Sequence, residues 1–469
     1  MGQEYNFEWS LYYNYEYFKE KSLTNRFFKH SDIKKLINNI QFQKLFRIDT
    51  VGNSFEGREI FLITVGRGAK KILFWSQMHG DEPTATAALF DIFNFFSDSL
   101  HFTELKRYIL EKTTLYFIPM LNPDGAENFS RRNAMQIDIN RDANRLETPE
   151  GKILMNVFDR IKPDFGFNLH DQSHRYSVGN SFRQATISFL APPIDEERNI
   201  DSVRLNAIKL ISGLYEMLGE FIPGHVSRYS DEYEPRAFGD TFQKKGTSTI
   251  LVESGGWKSD HEKQFIRKLN FILLLSAIKN ISTEDYKSLN EKIYDSIPFN
   301  EERLYDLILR NLTVSNGEFE YKIDLAINYN EIYDNDKNNY YYIKATIENI
   351  GDLSTYYGIE DYDFNGYKIE PGKNYVNNKK TLKKDSKYFE LMKKGFTNIF
   401  MPNFKGEISN LPFNIIKNKR LNFPISVGSN PTFILKRGER IEYLVINGFI
   451  QNLISKTFYN KGIVFEDSE

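Results

Sequence analysis

The sequence predicts an α/β fold, a β-sheet flanked by helices, followed by a smaller β-rich C-terminal domain. Three observations predict it. Four apolar runs, Ile72–Ser76, Leu115–Pro119, Phe165–Leu169 and Thr249–Val252, have the length and unbroken hydrophobicity of buried strands. Helical patterns alternate with them at Thr84–Phe96, Gly151–Ile161, Val203–Leu218 and Glu262–Ile281, which implies a sheet covered on both faces. Beyond about residue 300, Glu318–Tyr329 and Asn339–Glu348 alternate in the strand manner, and Gly351, Asn365-Gly366, Pro371-Gly372 and Asn447-Gly448 supply turns.

Taken in order, residues 1–45 form an N-terminal helical segment, with helical spacing around Phe27–Leu45. Val51–Val65 reads as an opening hairpin turning at Glu56-Gly57-Arg58. The α/β domain spans 46–298 and includes a helical connector, Tyr286–Pro298. The β-rich domain spans 299–469, with a short helix at Lys387–Lys394 and no chemistry legible in it. A length of 469 residues suits two or three domains.

A formal charge of −2 gives no reason to expect nucleic acid or an anionic membrane as partner. With no cysteine there is no disulfide, thiolate metal site or thiol nucleophile, so any metal must be held by His, Asp or Glu. Met1–Ser10 lacks the basic patch and apolar core of a signal peptide, and no apolar run approaches about 18 residues. A cytoplasmic location is therefore expected, with oligomeric state undetermined.

Three of the apolar runs lead into groups that can bind metal or carry protons. Ile72–Ser76 precedes Met78-His79-Gly80-Asp81-Glu82, Phe165–Leu169 precedes His170, and Thr249–Val252 precedes Glu253. Open α/β sheets place ligands at this edge. His-x-x-Glu in a tight turn aims an imidazole and a carboxylate at one ion. Gly80 supplies unusual backbone there, and Pro83 starts the next helix. His170 completes a two-His, one-Glu set with an open position for water, the catalytic zinc pattern. Glu253 is then placed to take and return a proton.

The other histidines read differently. His30, His101 and His261 are expected to face solvent, and His225, after Pro223-Gly224, to lie in a loop. Asn122-Pro123-Asp124-Gly125 reads as a structural turn. Arg131, Arg132, Asn133, Asp138, Asn140 and Arg141 follow it. Clustered Arg and Asn suit carboxylate capture, and an Arg beside the metal can hold an oxyanion. Asp171 reads equally as a carboxylate supporting the site or as a strand-end cap.

As a set these residues resemble the carboxypeptidase A-like zinc metallocarboxypeptidase family over about residues 50–280. The match runs through Gly57-Arg58, His79-Gly80-Asp81-Glu82, Asn122-Pro123-Asp124-Gly125, Arg131-Arg132-Asn133-Ala134, Asp138-Ile139-Asn140-Arg141, Leu169-His170 and Glu253, in order. The resemblance implies a mixed β-sheet flanked by helices and one Zn2+ per chain, on His79, Glu82 and His170. It further implies Glu253 as general base and acid, Arg131 rather than Arg132 polarising the scissile carbonyl, and Asn140 with Arg141 binding the substrate's terminal carboxylate. A second pair, Asn144-Arg145, competes, but Asp138-Ile139 favours the earlier one. Gln136 stands where relatives usually carry Gly. A substrate-contacting Tyr precedes the base in the family, with Tyr229 and Tyr233 both candidates, and Arg228–Asp240 is expected at the mouth of the site.

The implied activity is removal of a C-terminal residue from a peptide by a zinc-activated water. The alternative is a zinc deacylase of N-acyl amino acids, using the same metal and carboxylate clamp. A non-catalytic peptide-binding protein on the same scaffold is the third possibility. The expected ligand in every case is a peptide or acyl amino acid with a free carboxylate.

Overall fold

The apolar runs become strands because a parallel strand buried on both faces needs no polar side. In the computed structural model, which describes residues 6–41, 44–315, 317–334, 340–376, 385–409 and 411–466, the chain forms two units, Met1–Glu302 and Arg303–Glu469. The first unit begins with helices α1 (Phe7–Phe18) and α2 (His30–Gln41), then the hairpin β1 (Arg47–Asn53) and β2 (Glu59–Gly66). β3 (Lys70–Ser76), α3 (Thr84–Ser97), α4 (Thr103–Lys112), β4 (Thr113–Ile118), α5 (Pro123–Glu127), α6 (Pro149–Ile161) and β5 (Phe165–Asp171) follow. Next come β6 (Tyr176–Val178), β7 (Ile187–Leu190), α7 (Ser202–Gly219), β8 (Val226–Arg228), α8 (Phe238–Lys244), β9 (Ser248–Ser254), α9 (Gln264–Thr283), α10 (Lys292–Ser296) and β10 (Asn300–Glu302).

The main sheet is mixed, in the order β1-β2-β4-β3-β5-β9-β7-β8. Its centre is parallel, β4-β3-β5-β9, and β1-β2-β4 and β9-β7 pair antiparallel. Every residue of β9 and all of β5 but Asp171 are buried. Two apolar cores cover the two faces. One, around Phe74, Phe167, Phe93 and Leu273, packs against α3, α7 and α9. The other, around Trp75, Leu154, Phe158, Phe238 and Phe242, packs against α6 and α8.

α1 is joined to α3 and α9 by a buried ion pair. The Arg267 guanidinium donates to Asp91 (2.8 Å from Nε), which also accepts from the Tyr15 hydroxyl at 2.8 Å and the Glu20 backbone N–H at 2.7 Å. Every lone pair that a buried carboxylate offers here has a partner, the condition under which such a pair is tolerated.

The second unit is β-rich. Leu304–Ser315, Glu320–Asp334 and Tyr340–Gly351 form antiparallel neighbours within one sheet. A second, parallel sheet of Lys373–Val376, Phe396–Phe400, Asn414–Ile416 and Val464–Phe465 accompanies the helix Asp385–Lys393. No helix among the described residues is long and apolar enough to cross a membrane.

Three details differ from the sequence reading. His30 is buried rather than solvent-facing: its Nε2 lies 2.9 Å from the Glu59 carbonyl and its ring stacks on Phe61. The partners come from the hairpin, which local polarity could not reveal. Gly80 is required by close packing and not by unusual backbone, since a Cβ there would come within 2.1 Å of the Gly125 carbonyl carbon. Asn122–Gly125 is not an isolated turn but opens α5, with the Asn122 side chain accepting from the Gly125 N–H at 2.8 Å.

Candidate metal centre

β3, β5 and β9 lie side by side and parallel, so their C-terminal ends meet at one edge of the sheet. His170 and Glu253 are direct register partners across β5 and β9. Side chains paired in this way share a face at neighbouring-strand spacing. His79 and Glu82 come from the loop between β3 and α3, held in place by Gly80 packed on the backbone of α5.

His79, Glu82 and His170 converge, with ligand atoms all within 4.8 Å of one another. The Glu82 carboxylate lies 2.8 Å from His79 Nδ1 and 2.7 Å from His170 Nδ1, and the two Nδ1 atoms are 3.2 Å apart. All three side chains are buried. Burial opposes charge on Glu82, but the two imidazoles outweigh it and hold its carboxyl well below the usual range. Burial likewise opposes protonation of His79, and Glu82 with Asp138 reverses this, raising it to about 9. Burial lowers His170. Two imidazole nitrogens this close cannot both hold a proton, and the carboxylate favours one positive charge between them. A divalent cation satisfies the same three groups at once. Two nitrogen donors and a carboxylate, with no thiolate, form the donor set of a catalytic zinc site, and the residues fit that ion.

Asp138 sets the orientation of His79. Its Oδ1 lies 3.0 Å from Nε2, so a proton donated there leaves the Nδ1 lone pair facing Glu82. Asp138 in turn accepts from Arg131 Nε at 3.1 Å and begins the single 3-10 turn Ile139–Arg141 by capping the Asn140 N–H. This role was not read from the sequence, where the Asp138-Ile139-Asn140-Arg141 match was the available signal. Asp171 does not support either imidazole: it pairs with Lys263 at 3.1 Å and accepts from the Thr84 hydroxyl at 2.5 Å.

Arg131 reaches the centre, with Nη1 3.2 Å from Glu82 Oε1, while Arg132 turns to the Gln136 carbonyl at 3.0 Å. Asn122 Nδ2 lies 3.4 Å from the Arg131 carbonyl, so the Asn122–Gly125 segment helps to place this loop. Gln136 has φ +62°, the left-handed backbone that explains a glycine preference at this point. Asn140 is buried, its Oδ1 accepting from the Phe238 N–H at 3.2 Å and its Nδ2 lying 3.5 Å from His170 Nε2. Arg141 is exposed and faces Glu234 at 3.4 Å. Asn144 and Arg145 are both exposed.

Glu253 is buried and its Oε2 has no hydrogen-bond partner among the described residues. Burial, and then the Glu82 charge, push its carboxyl well above the usual range. Burial and the Glu253 charge do the same to the Tyr229 hydroxyl. Tyr229 thus sits within electrostatic reach of Glu253, whereas the Tyr233 hydroxyl faces Lys244 Nζ at 3.3 Å. Tyr176, unnoticed in the sequence, is raised by burial and by Glu302 and Glu253, and hydrogen-bonds Tyr229. It lies on a three-residue strand too short to leave a pattern.

Burial, helped by the Glu234 charge, raises Asp240 to about 7. The folded protein therefore holds this proton more tightly than the unfolded chain does. Stability from Asp240 is full below about pH 4 and is lost as pH rises through about 7. Asp240→Asn keeps an acceptor for the Glu234 N–H, 3.0 Å away, without the charge. Its melting temperature is expected to exceed wild type by a few degrees at pH 8, with the excess closing as pH falls to about 4. An equal difference at both pH values would contradict the assignment.

Residues 33–188 match the zinc carboxypeptidase family model. That stretch holds His79, Glu82, Arg131, Asn140 and His170, and ends before Glu253. Carboxypeptidase SOL1 of Arabidopsis thaliana is 26% identical over 166 residues, covering 32% of this chain and 34% of that protein. The alignment thus covers about a third of that relative's length. Among solved structures, the metallo-carboxypeptidase of Burkholderia cenocepacia is 15% identical with TM-score 0.45, covering 55% of this chain and 70% of that one. Carboxypeptidase A of Helicoverpa armigera is 13% identical with TM-score 0.43, covering 56% and 74%. The fold is a mixed β-sheet flanked by helices, with the family match confined to its first part. More narrowly, residues 33–188 are similar to the zinc carboxypeptidase family.

Proposed function

We propose that this protein is a zinc-dependent carboxypeptidase that removes the C-terminal residue of peptides. The observation that supports it most is the convergence of His79, Glu82 and His170 beside Glu253, a buried carboxyl with one oxygen unpaired and its charge disfavoured. A zinc ion on the three ligands would supply a Lewis acid that polarises the scissile carbonyl and makes water more acidic.

The remaining steps belong to the protein's own groups. Glu253 takes the proton from the attacking water and passes it to the departing amine, a transfer suited to a carboxyl whose pKa burial has raised. Arg131, already within 3.2 Å of Glu82, offers guanidinium N–H donors to the oxyanion that forms on the carbonyl. Asn140 and Arg141 hold the substrate's terminal carboxylate, the guanidinium exchanging its exposed Glu234 partner for the substrate. Tyr229, within electrostatic reach of Glu253, is the tyrosine that contacts the substrate.

Asp138 acts through His79. Asp138→Asn is expected to weaken zinc binding by about 10–100-fold with the fold unchanged, read by competition with a chromogenic chelator. An unchanged affinity would remove Asp138 from the site's support.

The function is tested with paired peptides carrying free or amidated C-termini. The expected result is release of single residues from the free peptide alone, abolished by chelator and restored by zinc. Equal cleavage of both peptides, or internal cleavage, would overturn the reading. Exclusive cleavage of N-acyl amino acids would favour the deacylase.

A further inference from the structure

We propose that Phe27 is a positioning residue for Arg131: its ring holds the turn from which the guanidinium reaches the metal centre. The proposal rests on the carboxypeptidase reading for what Arg131 does there, and on packing alone for how Arg131 is held.

Phe27 precedes residue 33, where the family match begins. It is buried, yet it belongs to neither apolar core that covers the main sheet. Its ring meets Phe129 instead, with centroids 4.4 Å apart and planes tilted by 48°. The backbone around Phe27 is fixed from two directions. The Phe27 N–H donates to the Asn25 side chain at 2.9 Å, and the Arg26 N–H donates to Glu262 at 3.0 Å. Three residues on, the His30 N–H donates to Glu127, the last residue of α5, at 3.2 Å. The segment is thus tied to α5 and to the turn before α9, and Phe27 is a fixed wall against Phe129.

Phe129 stands two residues before Arg131 and has φ +45°. That left-handed backbone is uncommon for a bulky residue and persists where its surroundings enforce it. It turns the chain out of α5, and the Ser130 N–H donates back to the Gly125 carbonyl at 2.9 Å. Residues 127–132 are half-buried or exposed. The next buried one is Asn133, whose side chain donates to Glu150 at 3.1 Å. The arm that carries Arg131 therefore runs between two side-chain anchors, Phe129 on Phe27 and Asn133 on Glu150.

The tip of this arm places Arg131 Nη1 3.2 Å from Glu82, with Nε and Nη2 3.1 and 3.0 Å from Asp138. A guanidinium that is to meet an oxyanion works only at that reach. A displacement of about 1 Å, caused by a change away from the chemistry, can cost about 100-fold in rate. Removing the Phe27 ring takes this backing from the left-handed turn and lets the arm shift at its first anchor. The second anchor, Asn133, stays in place, so the change is confined to the stretch between them.

The test uses the zinc-loaded full chain and two readouts. The first is hydrogen exchange, read by mass spectrometry over residues 127–133, where the Asn128, Ser130 and Asn133 N–H groups all donate to backbone carbonyls. Phe27→Ala should speed exchange there by about tenfold, and Phe27→Leu by less. Phe28→Leu, the same change one residue on but in the main core, should lower the melting temperature and leave that stretch unmoved. The second readout is kinetics on a peptide with a free C-terminus. Phe27→Ala should lower kcat by about 10–100-fold with KM within about threefold. That loss should vanish in an Arg131→Ala background, because a residue that acts through Arg131 then has nothing left to place. Unchanged exchange over 127–133, the same acceleration in Phe28→Leu, or a loss that adds to that of Arg131→Ala would overturn the proposal and leave the carboxypeptidase reading intact. If the wild type cuts no peptide, that reading falls, and exchange in the Phe27 variants against Phe28→Leu still decides whether Phe27 holds the arm. Should Phe27→Ala fail to fold, Phe27→Leu decides by the same comparisons.

Discussion

Glu253→Gln is expected to lower kcat/KM on a free C-terminal peptide by about 10²–10⁴-fold while zinc content and melting temperature stay near wild type. The amide keeps the shape of the carboxyl but can neither take nor return a proton. The fold should tolerate it, because Glu253 Oε2 makes no hydrogen bond to lose and its charge is already disfavoured by burial and by Glu82. Loss in kcat rather than KM would place the effect in the proton transfers. A variant within about threefold of wild type would remove Glu253 from the mechanism, and a variant without zinc would make its role structural.

Arg131→Ala should cost about 10²–10³-fold in kcat/KM, the scale for one lost oxyanion donor. Arg132→Ala, two sequence-adjacent guanidiniums being the alternatives, should stay within about twofold. The distinction follows from geometry: Arg131 reaches Glu82 and Asp138, whereas Arg132 bonds the Gln136 carbonyl. If the two variants swapped effects, the placement of this loop would be contradicted.

Much of the site could be read from the sequence because the strands that carry it are buried on both faces. Phe165–Leu169 and Thr249–Val252 stand out as apolar runs, so the His170 and Glu253 that end them stand out too. His79 was legible for the same reason, one loop beyond β3. What escaped depends on contacts between distant segments. Asp138 meets His79 across 59 positions of sequence. Tyr176, on a three-residue strand, and Tyr229, one residue past another, meet near Glu253 with no periodicity to announce them. β7, a four-residue strand, and α8, a seven-residue helix, are too brief for a pattern and owe their form to packing on β9 and on the Phe158–Phe242 core.

The second unit shows the complementary limit. Its antiparallel strands alternate and were legible as such, at Glu320–Asp334 and Tyr340–Gly351. Its parallel four-stranded sheet was not, because two of its strands have three residues or fewer.

X-ray absorption spectroscopy at the zinc edge, on wild type and His170→Ala loaded under the same conditions, tests the central claim most directly. The account predicts one zinc per chain, with two imidazole nitrogens and a carboxylate oxygen among its ligands, and loss of that signature in the variant. Stoichiometric zinc with the same ligand shell in both proteins would put the metal elsewhere and contradict it.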